Sequence, residues 1–423
     1  MRIGFDPIAN IHSRLTREFL VRQGLAECPD CGLLQMLQSA CEGQSQYCTR
    51  CGFSFGQRST RADVAFALCV TAIILFMLAN TFPMMGIEIQ GRQQDVHLGS
   101  GIVGLADHGF TPLALFVLVI SILAPLGRIV VLGYVLFHTH KGSGPRHVKR
   151  AFRLAERLRS WSMLDVFLIG ALVSLTKLHA LARVDLGLGF WALGFLVVIL
   201  ALFERAIDRQ LLWDALVPGR NLLASPPLTQ WIACRECGLV QDAATHCARC
   251  EHSLTRRKPR SVERAAALVV TGVILYVPAN LYPVMTVTSF GHVSSLTIMD
   301  GVIELMDGAD WPLAIIVFTA SVAVPLLKLL GMAWLLLSTE LRWTRHLRDR
   351  TRLYRLIELV SRWSTVDIFV AALLTALVTL GNVATIEPGF GALAFGAVVV
   401  VTMLATDFFD PRIMWDAAGA NRD

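Results

Sequence analysis

The chain has 423 residues, 54% of them hydrophobic and 17% charged, with a net charge of +6. A soluble domain carries about a quarter charged residues, so this composition, with a mean hydropathy of +0.57, excludes an ordinary soluble globule. The basic residues fall in short segments between long apolar runs, which excludes a nucleic-acid-binding stripe.

The first segment, "MRIGFDPIANIHSRLTREFL", has no uninterrupted apolar core and no small-residue cleavage site. It reads as a tail (1–24) and not as a signal peptide. Two Cys-x-x-Cys pairs follow in 25–58: Cys28 and Cys31, then Cys48 and Cys51. Apolar runs at 63–83, 112–137, 163–182 and 188–206 are long enough to cross a bilayer as helices, and together form a first module (59–217). A linker with a second pair of Cys-x-x-Cys motifs (218–257) holds Cys234, Cys237, Cys247 and Cys250. Runs at 263–283, 312–337, 364–382 and 390–406 make a second module (258–418), and 419–423 is a short tail.

The second module is a copy of the first. "LANTFPMM" (78–85) returns as "PANLYPVM" (278–285), "SILAPLGRIVVLG" (121–133) as "SVAVPLLKLLGMA" (321–333), and "RQLLWDA" (209–215) as "PRIMWDA" (411–417). Each copy has an even number of spans, so the two run in the same direction as parallel repeats. The expected fold is an α-helical polytopic membrane protein: two parallel four-helix modules, each preceded by a small cytoplasmic zinc ribbon.

Orientation follows from charge. "HTHKGSGPRHVKRAFRLAERLRS" has seven Lys or Arg against one acid, and "STELRWTRHLRDRTRLYRLIELVSR" has seven Arg against three acids. The loops at 84–111 and 284–311 hold one Arg and seven acids between them. Positive loops stay inside, so both termini and both cysteine segments are expected in the cytoplasm. Each opposite loop reads as a short hairpin with a helical turn or two beside it. Asn80 and Asn280, three residues before a proline, read as helix-terminating caps, and the Trp-Asp-Ala tails as interfacial packing.

Two thiolate pairs separated by a short loop set four sulfurs around one tetrahedral ion, the arrangement Zn²⁺ prefers. The expected cofactors are two structural zinc ions. Iron takes the same ligands, and redox chemistry at Cys-x-x-Cys is the other alternative, disfavoured in a reducing cytoplasm. Cys41 and Cys69 fit neither set, and His246 would be a fifth ligand.

Ionisable groups inside spans are costly, about 2.5–3.5 kcal/mol each at a helix centre on translocon scales. Ser321 and Lys328 share a face of span six, Ser364 and Asp367 a face of span seven, and Thr402 lies in span eight. These five form a candidate transport or proton cluster, with Asp367 as the acidic partner of the deeper Lys328. The plainer reading has Lys328 snorkelling and Asp367 at the interface beside Arg362. Lys328 lies ten residues from Ser338, roughly 15 Å at helical rise, which is deep for snorkelling. Module one repeats the pattern as Ser121, Arg128, Ser162 and Asp165, with an arginine that stays protonated where module two has lysine. Lys177, Arg183 and Asp185, with His179, lack equivalents in module two and are candidate headgroup or partner contacts.

The two cysteine tetrads, the duplicated four-span module, "RSWSMLDVFLIG" with "SRWSTVDIFVAA", and the twin Trp-Asp-Ala tails resemble the paraquat-inducible protein A family, the PqiA- and LetA-like membrane proteins. The resemblance covers nearly the whole chain. It implies a non-enzymatic inner-membrane component that works with a periplasmic MCE-domain tunnel protein and moves phospholipid. It also implies that the loops 84–111 and 284–311 meet that partner, with lipid passing at or between the two bundles. A proton-coupled transporter of a small solute and a non-transporting membrane anchor are the alternatives.

Overall fold

A computed structural model describes residues 25–36, 46–55, 62–89, 92–140, 146–179, 183–217, 231–289, 292–307, 311–377 and 384–419. The expected tail 1–24 and Cys41 lie outside these residues.

The first ribbon pairs β1 (Leu25–Glu27) with β2 (Leu34–Met36). Module one follows: α1 (Ala62–Thr81), the hairpin β3 (Met85–Ile89) and β4 (Arg92–Val96), α2 (Ser100–Asp107), α3 (Thr111–Leu118), a π-turn (Val119–Leu123), α4 (Ala124–His140), α5 (Arg146–Arg159), α6 (Leu164–His179), β5 (Arg183–Leu186), α7 (Leu188–Ala206) and α8 (Arg209–Leu216). The second ribbon pairs β6 (Trp231–Ala233) with β7 (Val240–Asp242). Module two then repeats the order: α9 (Ser261–Leu281), β8 (Met285–Ser289), β9 (His292–Leu296), α10 (Ile298–Asp307), α11 (Trp311–Phe318), a π-turn (Thr319–Ala323), α12 (Val324–Glu340), α13 (Leu347–Trp363), α14 (Val366–Leu377), β10 (Ala384–Pro388), α15 (Phe390–Phe408) and α16 (Arg412–Ala417).

Seven helices among the described residues are long and apolar enough to cross a membrane. The chain is a multi-pass membrane protein. The span expected at 163–182 is α6 (Leu164–His179), with α5 leading into it across a short break at 160–163. α5 is amphipathic: it carries the basic residues yet buries Val148, Phe152 and Ala155. The span expected at 364–382 is represented by α14, and 378–383 lie outside the described residues.

Both π-turns have one cause. Pro125 and Pro325 each stand four residues after a serine and have no N–H to return to it. The helical ladder widens to i→i−5, with Ala124 N–H donating to Val119 and Val324 N–H to Thr319.

At one end of each module lies a three-stranded antiparallel sheet, in the orders β4-β3-β5 and β10-β8-β9. In the Asn-x-x-Pro turns, the Asn80 and Asn280 side-chain amides donate back to the Phe76 and Tyr276 carbonyls of their own helices at 2.8 and 2.9 Å, and each helix closes just beyond them with the Phe82 N–H on Leu78 and the Tyr282 N–H on Pro278. A second signal, Gly-x-Gly, holds these turns. A Cβ on Gly187 or Gly389 would lie 2.1 or 2.2 Å from the Pro83 or Pro283 carbonyl oxygen, so no other residue fits.

The two modules meet along α14, which packs against α2 and α6 of module one. Phe167 and Phe369 sit edge to face with ring centroids 5.0 Å apart. Close approach requires glycine on the opposing helices: a Cβ on Gly101 would come within 2.8 Å of the Ala372 carbonyl oxygen, and one on Gly170 within 2.9 Å of Phe369 Cβ. Small residues that let helices approach are the usual device in membranes.

The ribbons are crossed. The first ribbon packs on module two, where its cysteines share a buried cluster with Tyr354, Ile357, Phe409 and Trp415. The second packs on module one, with Arg249 on Asp214 at 2.6 Å and Arg157 on Glu236 at 3.2 Å. Each Trp-Asp-Ala tail is therefore part of a docking seat. Trp213 and Trp415 are buried, and Asp416 binds Arg257 in two hydrogen bonds.

Candidate functional sites: an intramembrane cavity and two four-cysteine centres

The cysteine centres are built by short knuckles. In each pair, the N–H of the residue after the second cysteine donates to the first cysteine's carbonyl, at 2.8–2.9 Å. This turn needs a left-handed residue, supplied by Gly32, Gly52 and Gly238 and, in the fourth knuckle, by Glu251 at φ 62°. The eight sulfurs form two buried sets, each with all sulfurs within 4.8 Å of one another. Cross-pair Sγ–Sγ separations are 3.5 Å for Cys28–Cys51, Cys31–Cys48 and Cys234–Cys250, and 3.6 Å for Cys237–Cys247. Four thiolates at about 2.3 Å from one tetrahedral ion would stand about 3.8 Å apart, so both sets fit a metal ion. His246 is exposed, with its ring against Thr245. Cys69 is buried inside α1 with its thiol on the Ile129 carbonyl.

The seat of the first ribbon is dense in charge. Glu27 accepts from Arg257 and Arg412 at 3.0 and 3.1 Å, and Asp30 from Arg355 at 2.6 Å. Burial pushes the Asp30 carboxyl up, and the Arg355 hydrogen bond and charge pull it part of the way back. Burial alone would also raise Asp410. There the Arg412 guanidinium and the backbone N–H groups of Lys258 and Arg412 outweigh it and hold the carboxyl below its ordinary range.

The second site is a cavity of about 150 Å³ toward the hairpin end of module two. Its walls are mostly apolar, including Val317, Ile368, Ala371 and Phe395, with Leu113 contributed by module one. Ser321 and Asp367 line it together, with Thr297 as a third polar wall residue. The sequence places Asp367 near the ribbon-side edge of its span. In the structure α13 leads directly into it and runs about 25 Å at helical rise. Tyr354 and Ser361 of α13 pack against Thr406.

The remaining candidates divide. Lys328 is 2% exposed, and its ammonium makes no hydrogen bond among the described residues. It is therefore not bonded to Asp367. Ser364, at the C-terminal cap of α13, is buried with an unpartnered hydroxyl. The Thr402 hydroxyl donates to the Val399 carbonyl of its own helix at 3.0 Å.

Module one differs from this arrangement. Ser121 is buried and bonded to the Val117 carbonyl at 2.6 Å, Ser162 is half-buried, and Asp165 is exposed. Arg128 is ion-paired with Glu204, which also lies 3.5 Å from Arg159. Glu204 was not singled out from the sequence, although it is the only acid in its apolar segment. The side chains of Lys177, His179 and Arg183 lie outside the described residues, and Asp185 sits exposed in β5 opposite Gly86.

With the doubled bundle, the twin tetrads and the cavity in place, the family model described as paraquat-inducible protein A matches residues 63–217 and 262–419. The chain belongs to the paraquat-inducible protein A family. The two matched stretches coincide with the two modules and leave the ribbons outside. The chain is 32% identical over 404 residues to the "Intermembrane transport protein PqiA" of Escherichia coli (strain K12), covering 92% of this chain and 95% of that protein. It is 30% identical over 413 residues to the "Lipophilic envelope-spanning tunnel protein A" of the same organism, covering 97% and 96%. A "Probable intermembrane transport protein" of Haemophilus influenzae is 24% identical over 401 residues, covering 92% and 95%. No solved structure matches the chain.

Proposed function

We propose that the protein is the inner-membrane component of an intermembrane phospholipid transport system, exchanging lipid with a periplasmic MCE-domain tunnel protein and catalysing no covalent chemistry. The observation that carries this reading is the cavity: apolar walls, a carboxylate at its edge, and a wall residue from each module. The relatives named for intermembrane transport and for an envelope-spanning tunnel support it. A cavity of this size is on the scale of one that accepts a benzene-sized apolar molecule. It would hold a stretch of acyl chain, and passage of a whole lipid would require widening where Leu113 closes the wall.

In this reading the basic segments at the ribbon end face the cytoplasm, and the hairpin ends face the periplasmic partner. Each ribbon holds a structural Zn²⁺. Lys328, buried without a carboxylate partner among the described residues, would carry the proton that couples transport to the membrane gradient. Ser321, Ser364, Asp367 and Thr402 would be its polar neighbours along the path.

Affinity purification from membranes in mild detergent, with mass spectrometry of bound proteins, lipids and metal, tests the reading. Recovery of an MCE-domain protein with phospholipid is the expected result. A lipid-poor protein with no partner, showing solute-dependent proton flux, would replace it with a small-solute transporter.

A further inference from the structure

The two cysteine centres differ in what touches their sulfurs. Arg355, on α13 of module two, donates from Nη2 to Cys51 Sγ at 3.2 Å while its Nε holds Asp30 at 2.6 Å. The residue 202 positions earlier is Arg153, on α5. Its Nε is buried without a partner. Glu236, which stands where the first ribbon has Asp30, turns instead to Arg157 and His252. Position 359, which corresponds to Arg157, is leucine. Among the described residues no guanidinium is hydrogen-bonded to a sulfur of the second ribbon. The repeat has thus kept an arginine on both helices and aimed only one of them at a metal ligand.

We propose that Arg355 is a positioning residue for the first metal site, a cationic donor from module two to the Cys51 thiolate, and that the two sites therefore hold their ions with different firmness. The proposal rests on the metal reading of the cysteine centres. Four thiolates around a divalent cation leave a net charge of −2 on the ligand set. A charge-assisted hydrogen bond to one sulfur offsets part of it. It also draws electron density from the sulfur, which slows attack on it by protons or alkylating reagents. Hydrogen-bond partners of metal ligands are typically worth about 10–100-fold in metal affinity. Among the described residues the second site has no such donor. The same guanidinium stands on the helix that leads into Asp367, so the first site is also tied to the cavity-bearing module.

The test uses the full-length protein purified in detergent. Metal content is measured first, then metal loss over time under a chelator. Peptide-resolved alkylation of the cysteines assigns each loss to a ribbon. Arg355→Met, which keeps the apolar stem, is expected to speed loss from Cys28, Cys31, Cys48 and Cys51 about tenfold or more. It should leave Cys234, Cys237, Cys247 and Cys250 unchanged. Arg153→Met should change neither site. Asp30→Asn weakens the clasp but keeps the donor, and should give a clearly smaller effect than Arg355→Met. Unchanged release in Arg355→Met would overturn the proposal, as would an equal effect from Asp30→Asn, which would make docking alone responsible. Protein that purifies without metal in either ribbon would instead overturn the metal reading on which the proposal rests.

Discussion

Arg128 and Glu204 form an ion pair between α4 and α7. The residues that correspond to them in the second module are Lys328 and Thr406. One copy of the repeat has neutralised its intramembrane cation, and the other has removed the carboxylate and left the cation buried. Burying an unpaired ammonium is costly, so the two copies hold their intramembrane cations at different cost.

Restoring the missing carboxylate should convert one module into the other. Thr406→Glu is expected to pair with Lys328, raise the midpoint of thermal unfolding by a few degrees, and lower lipid transfer at least tenfold. Unfolding in detergent and transfer between vesicles read the two effects separately.

Removing the cation should separate stability from activity in the same direction. Lys328→Met relieves an unsatisfied buried charge and should stabilise the protein on the order of 1–3 kcal/mol, while abolishing proton-dependent transport. Asp367→Asn, nearly isosteric, should leave unfolding within a few degrees and reduce transport more than tenfold. Normal transport by either variant would remove the cluster from the mechanism.

The seam between modules was only partly legible. The repeat and both cysteine sets can be read directly from the chain, because each is a local pattern of sequence. Which ribbon sits on which module cannot, because crossing depends on contacts such as Asp30 to Arg355, 325 residues apart. That Asp367 would line a cavity was not legible for a related reason. A basic segment next to an apolar run reads as a loop, and only the alternate burial of Thr351, Tyr354, Ile357 and Ser361 makes α13 a helix packed into the bundle. Glu204 escaped notice because a lone acid at the end of a span looks interfacial until its partner is seen.

Gly101 tests the seam itself. Its missing Cβ lets α2 approach the α14 backbone. Gly101→Val should cost about 1–3 kcal/mol through overpacking. Differential scanning fluorimetry would read this as a lower midpoint, whereas Gly99→Val, where nothing lies within 4 Å, should change little.

The seat of the first ribbon should loosen in acid. Asp410 titrates below its ordinary range in the folded protein because Arg412 and two backbone N–H groups outweigh its burial. A depressed folded value means its contribution is fully present above the unfolded carboxylate value, near 3.9, and is lost as pH falls through the lower folded value. Hydrogen exchange in 408–417 should therefore accelerate only below about pH 4, and Asp410→Asn should remove that acid step.

The most direct test of the central claim is phospholipid transfer in proteoliposomes with the periplasmic partner, comparing the native protein with Ala371→Phe. Ala371 lines the cavity, and a phenyl ring there would fill much of it. The account predicts transfer reduced more than tenfold with metal content and partner binding retained. Transfer at the native rate through a filled cavity would contradict it.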